Sequence, residues 1–235
     1  MSRLATFVIS LGLLVGTFTY ASAQTPPQPD QVFVPSGLDP RVNHIAVIGD
    51  SYTTGTDLGG LGPRDWTNLA WQNLADHGIQ VVADVSAEGG AGYVARGNRG
   101  SVFSDLTARV VKPDDTLIVF YGSRNDKDSD PVAITNMSHD ALAVARRMAP
   151  TAQLLVIGPP WVNADVPPSM YRIRDILREQ ARIAGAAFFD PIEAGWFFDR
   201  PDLIAVDGIH PTDAGHAYMA GLLAPVIGGH LPRLI

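Results

Sequence analysis

The sequence Thr116-Leu-Ile-Val-Phe-Tyr121 is an unbroken apolar run, followed at once by the polar stretch Gly122-Ser123-Arg124-Asn125-Asp126. A short apolar run bounded by turn residues is typical of a strand that is buried on both faces, as in a parallel sheet. Four other short apolar runs are predicted as strands, at 44–49, 79–85, 153–157 and 187–189. Longer segments with apolar residues at helical spacing lie between them, at 63–77, 132–148 and 169–184, and a last helix is predicted to start near Thr212.

The alternation of these strands and helices decides the fold class. Strands separated by helices form βαβ units, which build a parallel sheet covered on both faces. We therefore predict an α/β fold, a flavodoxin-like three-layer α/β/α sandwich with a five-stranded parallel sheet. In such folds the ligand site lies outside the carboxyl ends of the strands. The loops that follow the predicted strands are therefore where we expect the chemistry.

Composition narrows the class of function. The chain has 235 residues, of which 46% are hydrophobic and 17% charged, as expected of a globular domain with a substantial core. Its formal net charge of -7 argues against nucleic acid as a partner, because nucleic-acid binding requires a basic face. The absence of cysteine excludes disulfides, thiolate catalysis and zinc–thiolate sites.

The N-terminus has the pattern of an export signal. Arg3 precedes an uncharged, mostly apolar stretch from Leu4 to Phe18, and Ala21-Ser22-Ala23 forms a small-residue cleavage site. We predict a signal peptide at 1–23, a Pro-rich leader at 24–40 and the folded domain at 41–235. The expected location is secreted, periplasmic or cell-envelope, without stable membrane insertion after cleavage; an uncleaved anchor is the alternative. The oligomeric state stays open.

Three residues far apart in the sequence suggest nucleophilic catalysis. Ser51 follows Gly49 and Asp50 directly after the first predicted strand, and Asp207 precedes His210 just before the last predicted helix. A hydroxyl nucleophile needs a base that takes its proton, and the base needs a group that orients it. We therefore predict a catalytic triad of Ser51, Asp207 and His210. A turn serine and an ordinary helix-start turn are the structural alternatives.

Two further loops offer hydrogen-bond donors for a developing oxyanion. Asn125 follows the strand at 116–121, and its side-chain amide is such a donor; an ordinary Asn-Asp turn is the alternative. The glycine-rich segment 88–92 follows the second strand, where the backbone can approach a ligand closely. The N–H of Gly89 or Gly90 is the expected donor there.

Substrate-binding residues are predicted at two positions. Trp161 lies in the loop after the fourth strand, and Arg124 lies beside Asn125. Core packing for Trp161 and a salt bridge for Arg124 are the alternatives. No P-loop and no H-E-x-x-H zinc helix is present in the sequence, and we predict neither a metal site nor a cofactor.

The same blocks resemble the SGNH (GDSL-type) hydrolase family over roughly 43–216. Gly49-Asp50-Ser51 resembles its first block, Asp207-x-x-His210 its last, and Ser123-Arg124-Asn125-Asp126 its G-x-N-D block, with Ser123 where the family has glycine. In the family the glycine block usually follows an asparagine, and Asp84 occupies that position here. Counting five residues on from Asp84 gives Gly89. The resemblance implies hydrolysis of an ester, often of a lipid, a sugar or a small acyl group, without a metal, with Ser51, Gly89 and Asn125 forming the oxyanion hole.

Two other functions remain open on the sequence. A metal-dependent phosphoesterase would draw its ligands from five side chains: Asp50, Asn125, Asp126, Asp207 and His210. A non-catalytic carbohydrate-binding protein on the same fold would use an aromatic platform formed by Tyr52, Tyr93, Trp161 and Phe197. The favoured prediction is a secreted serine esterase that acts on a short-chain acyl ester of a carbohydrate or lipid.

Overall fold

The computed structural model describes residues 42–232. The strands are β1 (Asn43–Gly49), β2 (Val81–Ala87), β3 (Leu117–Tyr121), β4 (Gln153–Ile157) and β5 (Ala187–Phe189). The helices are α1 (Ser51–Thr54), α2 (Trp66–Asp76), α3 (Phe103–Val110), α4 (Pro131–Met148), α5 (Pro168–Ala184) and α6 (Asp213–Gly228). Short 3-10 turns occupy Gly62–Arg64, Arg124–Asp126 and Pro201–Leu203.

The five strands form one parallel sheet in the order β2-β1-β3-β4-β5. The predicted three-layer α/β fold is therefore confirmed. β1 lies between β2 and β3, and its last residue, Gly49, pairs with Ala87 on one side and Tyr121 on the other. The loops that leave β1, β2 and β3 consequently start side by side at the same edge of the sheet, where the strand order changes direction.

Alternation along β3 divides the core between the two faces of the sheet. Ile118 and Phe120 belong to one buried cluster, which α3, α4 and α5 cover. Val119 and Tyr121 belong to the other, which α2 and α6 cover. Successive strand side chains point to opposite faces, so an all-apolar strand is what a sheet covered on both sides requires.

The element boundaries differ from the sequence prediction in three places. The helix predicted from 63 begins at Trp66, because Asp65 caps it by accepting the Asn68 N–H and the preceding residues form a 3-10 turn. β2 lies two residues later than predicted. Helix α3, with Phe103, Leu106 and Val110 buried, was not predicted because it is short and follows a glycine-rich loop.

The predicted signal peptide and Pro-rich leader lie outside the described residues. Within residues 42–232, no helix combines the length and the apolar character needed to cross a membrane.

Candidate active site

Ser51 is the first residue of α1, directly beyond the carboxyl end of β1. The side chain of Asp50 caps this one-turn helix by accepting the Tyr52 N–H at 2.9 Å. Gly49 allows the turn to close tightly, because a Cβ there would lie 2.2 Å from Thr53 Oγ1. Within the described part of the chain, the Ser51 N–H donates no hydrogen bond and is available at the start of the helix.

Asp207 and His210 form a rigid turn just before α6. One oxygen of Asp207 accepts the backbone N–H groups of Ile209 and His210 at 2.9 and 3.0 Å, and the other lies 2.6 Å from His210 Nδ1. Partial burial raises the pKa of the Asp207 carboxyl, but the hydrogen bonds from the His210 ring and from these two N–H groups outweigh it and bring the pKa to about 2. Asp207 is therefore a carboxylate at any working pH.

His210 also reaches the serine. Its Nε2 lies 3.1 Å from Ser51 Oγ, across 159 residues of sequence. Because ionised Asp207 only accepts hydrogen bonds, it fixes the neutral imidazole as the Nδ1–H tautomer and leaves the Nε2 lone pair facing the hydroxyl. The structure thus brings the three predicted triad residues into one hydrogen-bonded chain.

The loop that carries Asn125 is held by its neighbour Asp126. This buried carboxylate accepts the N–H groups of Tyr93, Val94 and Ala95 at 2.7–3.0 Å. It also accepts the hydroxyl of Ser123 at 2.6 Å. No local motif in the sequence indicates this role, because the three N–H groups lie more than thirty residues away from Asp126 in the chain.

Ser123 explains how the chain departs from the G-x-N-D pattern. Its φ is 97°, in the left-handed region that favours glycine. The bond from its hydroxyl to Asp126 compensates for that backbone strain. Ser123 thus adopts the backbone conformation that glycine favours at this position.

The Asn125 side chain meets Asp50 and the glycine-rich loop. Its Nδ2 lies 2.8 Å from the carbonyl oxygen of Ala91 and 3.3 Å from Asp50 Oδ2. Asp50 is only 1% exposed, and burial raises the pKa of its carboxyl to about 6. The N–H groups of Tyr52 and Ser123 and the charges of Arg124 and His210 act in the opposite direction.

Gly89 and Gly90 lie in the turn between Glu88 and Ala91, whose carbonyl meets Asn125. Neither glycine N–H donates a hydrogen bond to another described residue. The choice of Gly89 as the oxyanion donor stays a prediction.

Glu88 holds the segment that faces these glycines. Its buried side chain accepts the N–H groups of Arg99 and Ser101. Burial raises the pKa of the Glu88 carboxyl, but the hydrogen bonds from Ser101 and Arg99 outweigh burial, and the pKa lies below its ordinary value. Glu88 is thus a structural carboxylate that sequence analysis did not identify.

Arg124 and Trp161 lie together beside the turn that carries Ser51. The Arg124 guanidinium lies 4.6 Å from the centre of a Trp161 ring, and its Nη1 lies 3.3 Å from the hydroxyl of Tyr52. That hydroxyl donates to the carbonyl of Ile209, the residue before His210, at 2.5 Å. No carboxylate lies within salt-bridge distance of Arg124 in residues 42–232, in contrast to the alternative considered from the sequence.

The aromatic platform considered as an alternative is contradicted for three of its four members. Tyr52, Tyr93 and Phe197 are buried, and only Trp161 is partly exposed. Tyr93 packs against Phe103 and Phe120 inside the core. In residues 42–232, no three His, Cys, Asp or Glu side chains are grouped as a metal-ligand set.

Comparisons with known proteins identify the family of the chain. Residues 47–218 match the model of the GDSL-like lipase/acylhydrolase family. The chain is 54% identical over 234 residues to a GDSL lipase of Mycobacterium tuberculosis, an alignment that covers 98% of this chain and 99% of that relative.

Solved structures share the fold at lower identity. A lipase/acylhydrolase from Enterococcus faecalis superposes with a TM-score of 0.64 at 16% identity, covering 81% of this chain and 98% of the other. A family two carbohydrate esterase from Clostridium thermocellum superposes with a TM-score of 0.63 at 17% identity, covering 80% of this chain and 64% of the other. The chain therefore belongs to the GDSL-like lipase/acylhydrolase family and is an ester-hydrolysing enzyme.

Proposed function

We propose that this enzyme is a secreted serine esterase that cleaves a short-chain acyl ester of a carbohydrate or lipid through an acyl-enzyme on Ser51. The observation that carries the proposal is the hydrogen-bond chain from Asp207 through His210 to Ser51, with distances of 2.6 and 3.1 Å. A nucleophile, a base and an orienting carboxylate in contact are the parts that acyl transfer requires.

In the first half-reaction, His210 Nε2 takes the hydroxyl proton while Ser51 Oγ attacks the ester carbonyl carbon. The imidazolium that forms is stabilised by Asp207, whose pKa of about 2 keeps it charged. His210 then gives the proton to the departing alkoxide, so that an alcohol leaves and an acyl-serine remains.

The negative charge of the tetrahedral intermediate needs donors that are already in place. The donors that we assign to this role are the Ser51 N–H at the start of α1, the Gly89 N–H and the Asn125 amide. Each such donor contributes on the order of 100- to 1000-fold to the rate.

Water completes the cycle. His210 takes a proton from a water molecule whose oxygen attacks the acyl carbon, and the tetrahedral intermediate collapses to a carboxylic acid. The proton returns to Ser51 Oγ, and the free enzyme is restored.

The substrate class rests on the mouth of the site and on the relatives. Trp161 and Arg124 form a surface beside the nucleophile loop that suits a sugar ring or an acyl chain. The 54% identical relative is named a lipase, and the structural neighbours include carbohydrate esterases. The predicted signal peptide supports a substrate outside the cytoplasm, to be tested by sequencing the N-terminus of the exported protein.

The experiment that tests the mechanism uses an organophosphate probe and a panel of p-nitrophenyl esters from acetate to palmitate. We expect the probe to label Ser51 and Ser51→Ala to lose nearly all turnover, because removal of the nucleophile eliminates the covalent route. A chelator should have no effect, whereas loss of activity on chelation would favour the phosphoesterase alternative. A label on another residue, or full turnover in Ser51→Ala, contradicts the proposal.

A further inference from the structure

The side-chain amide of Asn125 has two ends, and only one of them is useful to an oxyanion. The NH2 end donates, whereas the carbonyl end would repel negative charge. Rotation by half a turn about the last side-chain bond exchanges the two. The reaction therefore requires something that selects the donor end, and the contacts of Asn125 show what does so.

Two oxygens face the NH2 end, the carbonyl oxygen of Ala91 at 2.8 Å and Asp50 Oδ2 at 3.3 Å. A carbonyl oxygen and an ionised carboxylate only accept hydrogen bonds. If the amide were reversed, its own oxygen would face both acceptors with no proton between them, and buried acceptors left unpaired are costly.

We propose that Asp50 is a positioning residue, which together with the carbonyl of Ala91 holds the Asn125 amide with its NH2 end in the oxyanion hole. The inference rests on the proposed function, because the NH2 end of Asn125 matters to the reaction only if ester cleavage produces an oxyanion. Both hydrogens of the NH2 group face a protein acceptor, so in this proposal the oxyanion shares the hydrogen of the longer contact, the one to Asp50, in a bifurcated hydrogen bond.

The surrounding backbone is built to bring Asp50 to this position. Gly122 has a φ of 129°, and a Cβ there would lie 2.6 Å from Asp50 Oδ2. Only glycine allows the Asn125 loop to run this close to the carboxylate. Asp50 itself is fixed by the Tyr52 N–H, which it accepts at 2.9 Å as the helix cap.

The test is a double-mutant cycle on Asp50→Asn and Asn125→Ala, assayed with p-nitrophenyl acetate. We expect Asn125→Ala to lower kcat on the order of 100-fold or more. Asp50→Asn should lower kcat about tenfold or more with KM little changed. The new asparagine side chain has an NH2 group as well as an oxygen, so it need not present an acceptor to Asn125. In the Asn125→Ala background the same change should lower kcat less than about threefold, because the residue it positions is absent.

Equal losses in both backgrounds would overturn the inference, because Asp50 would then act on the Ser51 loop alone. Asp130→Asn is the matched control: Asp130 caps α4 by accepting the Ala133 N–H and does not contact Asn125. If Asp50→Asn does not fold, Asp50→Ser replaces it, because serine also caps helices well.

A second readout does not depend on turnover. The NH2 signals of Asn125 in 15N-labelled protein, identified by their loss in Asn125→Ala, should shift in Asp50→Asn and stay unchanged in Asp130→Asn. If no ester is cleaved but these signals shift, the proposed function fails and the positioning role stands. If the signals do not move, the positioning role is wrong whatever the activity.

Discussion

Replacing Asp50 by asparagine should stabilise the folded protein at neutral pH while it slows the reaction. Burial raises the pKa of the Asp50 carboxyl from 3.8 to about 6. Since one pKa unit corresponds to about 1.4 kcal/mol, ionised Asp50 destabilises the folded state by roughly 3 kcal/mol at pH 7. Asparagine carries no charge and still accepts the Tyr52 N–H, so we expect the free energy of unfolding to rise by up to about 3 kcal/mol.

The dependence on pH gives the sign of the effect. The folded carboxyl keeps its proton up to about pH 6, whereas the unfolded one loses it near 3.8. The wild type therefore loses stability as the pH rises from about 4 to about 6, and the variant lacks this loss. The advantage of Asp50→Asn should be near zero at pH 4 and complete at pH 7.

Urea unfolding at pH 4, 5, 6 and 7 measures this difference. The fluorescence of the buried residues Trp66 and Trp196 reports the transition. Asp130→Asn is the matched control, because it makes the same replacement at an exposed helix cap. If the gain of Asp50→Asn is equal at pH 4 and pH 7, burial of its charge is not the cause and the reasoning fails.

Three other substitutions test the site. Asp207→Asn should lower kcat on the order of 10⁴-fold in p-nitrophenyl ester hydrolysis, because an amide does not select the Nδ1–H tautomer; a loss under tenfold contradicts the orienting role. Gly122→Ala should lower stability by about 1–3 kcal/mol and also reduce activity, because the added methyl group meets Asp50. Gly100→Ala, also at positive φ but in open space, is its control, and equal activity losses would exclude that contact as the cause. Trp161→Ala should raise KM for bulky esters more than for p-nitrophenyl acetate, and a uniform change would argue against substrate contact.

Much of the fold was predictable because its signals are local. In an α/β domain, a short all-apolar run such as β3 is stable as a strand that is covered on both faces. In the structure, alternate side chains of β3 are buried on the two faces of the sheet. The triad residues were found for a related reason. Ser51 follows such a run directly, and Asp207 and His210 share one turn, so their proximity needed only the rule that active sites lie at the carboxyl edge of the sheet.

The contacts that support the site were not predictable, because they depend on which loops become neighbours. Asp50 meets Asn125 across 75 residues because β1 lies next to β3. Asp126 reaches Tyr93 across 33 residues because the two loops leave the same edge. Local spacing contains neither fact. The error over Tyr52 and Tyr93 has the same origin, since a sequence names an aromatic residue without saying which side is buried.

The chain order of the three triad residues has a consequence for biosynthesis. Ser51 directly follows the first strand of the domain, whereas His210 directly precedes α6, and the folded structure brings the two together across 159 residues. In the proposed mechanism, a nascent chain therefore lacks a complete catalytic apparatus until the segment that carries Asp207 and His210 has been made and has packed onto the sheet. Esterase activity should thus appear late in folding, and a polypeptide threaded unfolded through a translocation channel would be harmless to the acyl esters of the compartment that made it.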